Sequence, residues 1–183
     1  MSQILKRIII VFALVTTLLF FSLIGAAWYL GAFSKVNVAI DERPVQFFIA
    51  APNSGSYQKA MNDLDTLRSH IEKTSIKTVD PAVLLYRDPV VVPLTEIPAR
   101  AAYLLADSVQ VDPPYRTIVV PPSRIVSASI KANQIVAPYK TYPAIREWCF
   151  RYDLVADTSA IIVEKYLKNG EVSVEYPVYS QRN

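Results

Sequence analysis

The sequence predicts an α+β domain carried behind a single apolar N-terminal helix. Three observations lead there. Residues 8–30 form a run of 23 uncharged, mostly apolar residues. Behind it, the order strand, helix, strand, strand occurs twice. The third elements of the two halves also align: Ala82-Val83-Leu84-Leu85-Tyr86 against Ala160-Ile161-Ile162-Val163-Glu164, which makes Tyr86 the repeat counterpart of Glu164. Such a duplication predicts an antiparallel sheet with two helices on one face, and a cleft where the half-domains meet.

As a helix, the apolar run spans about 35 Å at a rise of 1.5 Å per residue, enough to cross a hydrocarbon core of about 30 Å. A cleaved leader has an apolar stretch of only about 7–15 residues, although Gly25-Ala26-Ala27 offers small residues for a peptidase. The reading preferred is an uncleaved transmembrane anchor over 8–30, with 1–7 cytoplasmic and 31–35 a linker. Lys6 and Arg7 precede the run, while Lys35, Asp41, Glu42 and Arg43 roughly cancel beyond it. The positive-inside rule then puts the remaining chain on the periplasmic or extracellular side. Trp28 and Tyr29 suit the aromatic belt at that interface.

The rest, 36–180, divides near Asp112-Pro113-Pro114 into half-repeats of about 36–110 and 115–180. Residues 36–51 read as extended, since Val36, Val38 and Ile40 alternate. Pro52-Asn53-Ser54-Gly55-Ser56 is a turn cluster. A helix over 57–73 follows, with Met61, Leu64, Leu67 and Ile71 on one face. Strands are expected over 81–86 and 99–106. The second half repeats this with an extended stretch over 115–131, broken by Pro121-Pro122. A helix over 141–152 has Tyr142, Ile145, Cys149 and Tyr152 on one side, and a strand covers 159–167. Asn169-Gly170 is a type I′ hairpin signal leading into a last strand over 171–179. There Val172, Val174, Tyr176 and Val178 share one face and Glu171 and Glu175 the other, read as solvated.

Composition removes several functions. Beyond residue 34 the chain holds 17 basic and 16 acidic groups. That balance argues against a nucleic-acid partner, as does the lack of a helix-turn-helix ahead of the domain. One cysteine, Cys149, gives no internal disulfide framework. One histidine, His70, gives no zinc cluster and no Ser-His-Asp triad, so no metal or cofactor is expected.

The duplicated order resembles the GyrI-like small-molecule-binding domain, the effector-binding, SOUL-like fold. Its carriers are Tyr86-Arg87-Asp88-Pro89-Val90-Val91-Val92-Pro93 after the first helix, Tyr142-Pro143-Ala144-Ile145 in the second, and Val163-Glu164-Lys165-Tyr166 followed by Val174-Glu175-Tyr176-Pro177-Val178. The resemblance covers roughly 36–180. Its membrane-anchored layout is similar to the animal ER-phagy receptor of that family, without the receptor's long tail. It implies a sheet-lined pocket for small cationic or lipophilic molecules, and in some members a hydrolase. Glycines frequent in the family's second long strand are missing between Val119 and Val136.

Glu164 is the central candidate. Strand alternation sets it on one face with Ala160, Ile162 and Tyr166, where an ionised carboxylate is costly unless a cation or hydrogen bonds compensate. Tyr86, Trp148, Tyr103, Tyr57 and Tyr166 are candidate aromatic walls. The function expected is a membrane-tethered binder of a hydrophobic or cationic organic ligand: a sensor, scavenger or adaptor. The alternatives are a hydrolase with Glu164 as general base and Tyr86 assisting, a non-catalytic interaction module, and a haem binder through His70. A single good carboxylate favours the binder. Ligand identity and protein partners stay open at this level.

Overall fold

The structure, a computed structural model, describes residues 3–180. Residues 1 and 2 of the expected N-terminal segment fall outside them. Helix α1 (Gln3–Tyr29) starts earlier than the apolar run itself. Within it, Ile9–Tyr29 has a mean hydropathy of 2.6 and none of it is buried against the domain, so it is long and apolar enough to cross a membrane. The helix ends in a Schellman motif. Gly31 takes φ +78°, its N–H donates to Trp28 O, and Ala32 N–H donates to Ala27 O. This end is seated on the domain: Asn133 N–H donates to Leu30 O at 3.0 Å, and the Lys140 ammonium donates to the carbonyls of Ala32 and Ser34.

The first extended stretch splits into β1 (Asn37–Arg43) and β2 (Gln46–Ala50), bent at Pro44. A short β3 (Gly55–Ser56) leads into α2 (Tyr57–Ile71), whose N-cap Ser56 accepts from Lys59 N–H. Strands β4 (Thr78–Leu85) and β5 (Pro98–Leu105) complete the first half, with a 3₁₀ turn at Leu94–Glu96 between them. The second half holds β6 (Arg116–Val120), β7 (Ser123–Lys131), α3 (Ala137–Arg151), a short β8 (Leu154–Ala156), β9 (Ile162–Tyr166) and β10 (Glu171–Ser180). Helix α3 begins one turn before the sequence expectation, because Pro138 near its start sits where the amide is not required. The β9–β10 hairpin also differs from the type I′ expectation. Only Gly170 of the loop has positive φ, Gly170 N–H donates to Leu167 O and Leu167 N–H to Glu171 O. That is a three-residue loop in which a left-handed glycine follows a type I turn.

All strand pairings are antiparallel, in the order β1-β7-β10-β9-β4-β5-β2-β6. The two outer strands are continuations of inner ones. Asn37 pairs Ser129 and Arg43 pairs Ser123; past both proline bends, Gln46 pairs Val120 and Ala50 pairs Arg116 in the same register. The sheet therefore bends back on itself at Pro44 and Pro121-Pro122. One face packs under α2 and α3 with Ile49, Val83, Leu85, Val126, Val174 and Tyr176. The other encloses Phe48, Leu84, Val120 and Val163, with Ala50, Ala82 and Ala102 allowing close approach.

The enclosed face corrects the reading of Glu175 as solvated. It is 9% exposed, takes both Gln46 Nε2 hydrogen bonds, and pairs with Lys165 and with Arg43, which is 2% exposed. Arg43 also donates to Ile161 O and Ser123 Oγ. Alternation assigned Glu175 the right face, but that face is interior.

Candidate functional site

Three elements converge on Glu164. It sits mid-strand in β9, between Val83 of β4 and Val174 of β10, and is 0% exposed. Tyr57, the first residue of α2, donates its hydroxyl to Glu164 Oε1 at 2.7 Å. Tyr166, two residues along β9 and so on the same face, donates to Oε1 at 2.6 Å. Tyr142, on the buried side of α3, donates to Oε2 at 2.7 Å. Tyr57 and Tyr166 hydroxyls lie 3.2 Å apart, and Met61 Sδ is 2.9 Å from the Tyr166 oxygen.

These are short, charge-assisted contacts to neutral donors. Among the described residues no Lys, Arg or His pairs with Glu164. Burial pushes the Glu164 carboxyl above its ordinary value, and the three hydroxyls pull partly against it. The same burial, with the carboxylate close by, pushes the Tyr57, Tyr142 and Tyr166 phenols upward, so all three remain donors at physiological pH. The result is a carboxylate cage lacking a counter-charge.

A cleft of about 410 Å³ opens beside the cage between the first turns of α2 and α3. Tyr57 forms part of its wall, along with Met61, Leu94, Ile135, Pro138 and Tyr139. Glu164 lies behind Tyr57. A group entering the cleft meets Tyr57, whose hydroxyl is held by the carboxylate.

Of the six candidate residues, Glu164, Tyr57 and Tyr166 come together. Tyr86 does not. It packs on the enclosed face with Leu84, near Arg100 and Arg116, and burial pushes its phenol upward. The cross-strand partner of Glu164 is Val83, so the counterpart relation inferred from sequence is off by an odd number of residues, which flips the face. Tyr103 shares the helix-covered face, but on β5, opposite Ile49 and Pro81, two strands from Glu164. Trp148 lies nearly two turns beyond Tyr142 on α3, half-buried, against Tyr152 at 4.7 Å, with Nε1 buried and unpartnered. Tyr142 was missed as a site residue. Its signal was a tyrosine in a buried helical stripe, whose hydroxyl needs a partner.

No protein-family model matches the chain, and no curated protein matches it in sequence. Solved structures share the fold. The EcmrR C-terminal domain superposes with a TM-score of 0.64 at 11% identity, covering 79% of this chain and 98% of that one. SAV2435 bound to tetraphenylphosphonium gives 0.54 at 11%, covering 78% and 94%. A hydrolase from Listeria innocua gives 0.54 at 13%, covering 80% and 93%. EcmrR also appears in a complex with DNA (TM-score 0.63, 11% identity, 79% of this chain), where this chain spans 58% of its length. That match corrects the exclusion of nucleic acid: the same fold occurs in a chain of a DNA-bound assembly. The chain thus has the fold of EcmrR's C-terminal domain, SAV2435 and the Listeria hydrolase.

Proposed function

We propose that this chain is a membrane-anchored GyrI-like domain that binds a small hydrophobic organic cation, with Glu164 supplying the opposite charge. One observation carries this reading: a fully buried carboxylate whose partners are three tyrosine hydroxyls and no cation. A monovalent organic cation would complete it, and Tyr57 and Tyr139 offer it aromatic faces. SAV2435, which shares the fold, holds a cation of that kind. The cage contains one carboxylate, and Asp65, which lines the cleft, is exposed on α2 rather than turned into the cage, which favours binding over hydrolysis. Helix α1 serves as the anchor, and Lys6-Arg7 favour a cytoplasmic N-terminus with 31–180 on the far side.

The test is calorimetric titration of the chain, in detergent, with tetraphenylphosphonium and with neutral triphenylphosphine oxide. Glu164→Gln should weaken the cation by about 1.5–3 kcal/mol, the scale of a hydrogen bond to a charged group, and spare the neutral compound. Equal cation affinity in both proteins would remove Glu164 from the site.

A further inference from the structure

The end of α1 and the candidate site meet at one short stretch, 131–139. Gly31 is packed so closely on it that a Cβ there would lie 2.7 Å from Ala132 Cα and 2.8 Å from Lys131 O. With the Asn133–Leu30 bond and the two carbonyls held by Lys140, this seats the last turn of the helix on the β7–α3 connection. Ile135, at the cleft's rim, is two residues from Asn133, so the two Cα atoms are within about 8 Å. The headgroup layer on one side of a bilayer is itself about 5–8 Å thick. On the anchor reading, with the apolar span ending at Tyr29, the rim lies within about one headgroup layer of the hydrocarbon edge.

The rim has the chemistry of that layer. Ile135 is 71% exposed and Tyr139 75%, although both flank a ligand-sized cleft. Trp28, Tyr29 and Phe33 are exposed on the anchor side. A second hollow runs from Tyr29 and Leu30 past Gln134 to Tyr166, and Gln134 and Tyr166 tie it to the cleft and to the cage. The two hollows thus share a wall at Gln134, and the second reaches Tyr166, whose hydroxyl donates to Glu164.

From this geometry, and resting on the cation-binding reading above, we infer that the cleft takes its ligand from the membrane: an amphiphilic cation whose charged head enters the cage while its chain stays in the bilayer. The seated helix end makes this favourable. Each methylene drawn out of the hydrocarbon weakens binding about fourfold, and a mouth at headgroup level leaves the chain in place.

The test uses the 183-residue chain in lipid nanodiscs, with empty nanodiscs as the partition control. Two probes share one head: methyltriphenylphosphonium, which stays largely in water, and dodecyltriphenylphosphonium, which resides in the bilayer. A variant carries a helical spacer of three EAAAK repeats between Tyr29 and Leu30, so that residues 30–34 keep their seat on the domain while it is lifted by about 22 Å. Its melting curve shows whether the domain is still folded. A Phe33→Asp variant, which needs no insertion and lies outside the cleft, opposes contact with lipid on the anchor side. Both variants should lose at least tenfold in affinity for the dodecyl cation and stay within twofold for the methyl cation. Unchanged affinity for both probes would overturn loading from the membrane and leave the cation site standing. Failure of the parent chain to bind either probe would overturn both readings.

Discussion

The two carboxylate oxygens of Glu164 are not equally supported, and this makes a sharp contrast between two single-atom deletions. Oε2 has one donor among the described residues, Tyr142 at 2.7 Å, on a side chain that is itself buried. Oε1 has two, Tyr57 at 2.7 Å and Tyr166 at 2.6 Å, and Tyr57 borders the cleft. Tyr142→Phe leaves a buried charged oxygen unpartnered, at a cost of about 2–3 kcal/mol. Tyr57→Phe leaves Oε1 still partnered by Tyr166, at a cost of about 0.5–1.5 kcal/mol. For a domain of this size 1 kcal/mol moves Tm by about 2–4 °C, so the expected losses are about 4–12 °C and about 1–6 °C. Circular dichroism melts of the full chain in detergent at pH 7.5 read both. The gap should narrow on acidification, because a protonated Glu164 is a weaker acceptor. Equal losses at pH 7.5 would refute the unequal support. A Tyr142→Phe loss that does not change with pH would refute a titrating charge on Glu164.

The raised Glu164 value also links pH to stability. Such a carboxyl contributes most below its unfolded value, near 4.5, and the contribution is lost as pH rises through the folded value. The Tm of the parent chain relative to Glu164→Gln should therefore fall with pH over that window, and parallel Tm–pH curves would contradict it. Cation affinity should rise over the same window, with proton release visible as a buffer-dependent binding enthalpy. On the enclosed face, Glu175→Ala strands Arg43 and Lys165 and should cost about 3–5 kcal/mol in urea denaturation, whereas an exposed pair such as Arg68–Glu72 should cost under about 1 kcal/mol. Burial pushes the Cys149 thiol up to about 11 from 9.0, so native alkylation at pH 7.5 should be about 100-fold slower than in urea; comparable rates would show the thiol to be exposed.

Much of this architecture was legible because the relevant signals are local. Alternation in β9 puts Glu164 with Ile162 and Tyr166, and the 3.6-residue stripe of α2 yields Leu64, Leu67 and Ile71 as its buried side. The closure of the sheet was not legible. It depends on residue 37 meeting residue 129 and residue 50 meeting residue 116, and no short window contains those pairs. The errors follow from that. Glu175 was assigned to solvent because alternation tells which face a residue takes, not whether the face is covered. Tyr86 was matched to Glu164 by sequence register, and pairing registers Val83 there instead. Tyr142 escaped notice because the partner of its hydroxyl lies on a strand 22 residues away.

The long paired strands also govern when the chain can finish folding. β1 finds its partner only after β7 exists, 80 to 92 residues later, and β2, paired to β5 on one side, waits for β6 on the other. Until the second half emerges, β1 has no partner strand and β2 is paired along one edge only, to β5. Contacts this distant in sequence carry a large loop-closure cost before they return any stability, and chains dominated by them fold in milliseconds to seconds rather than microseconds. Until residues 116–131 arrive, β1 and β2 present free backbone edges to any neighbouring chain. The interval during synthesis, rather than the finished domain, is then the period of greatest exposure to aggregation.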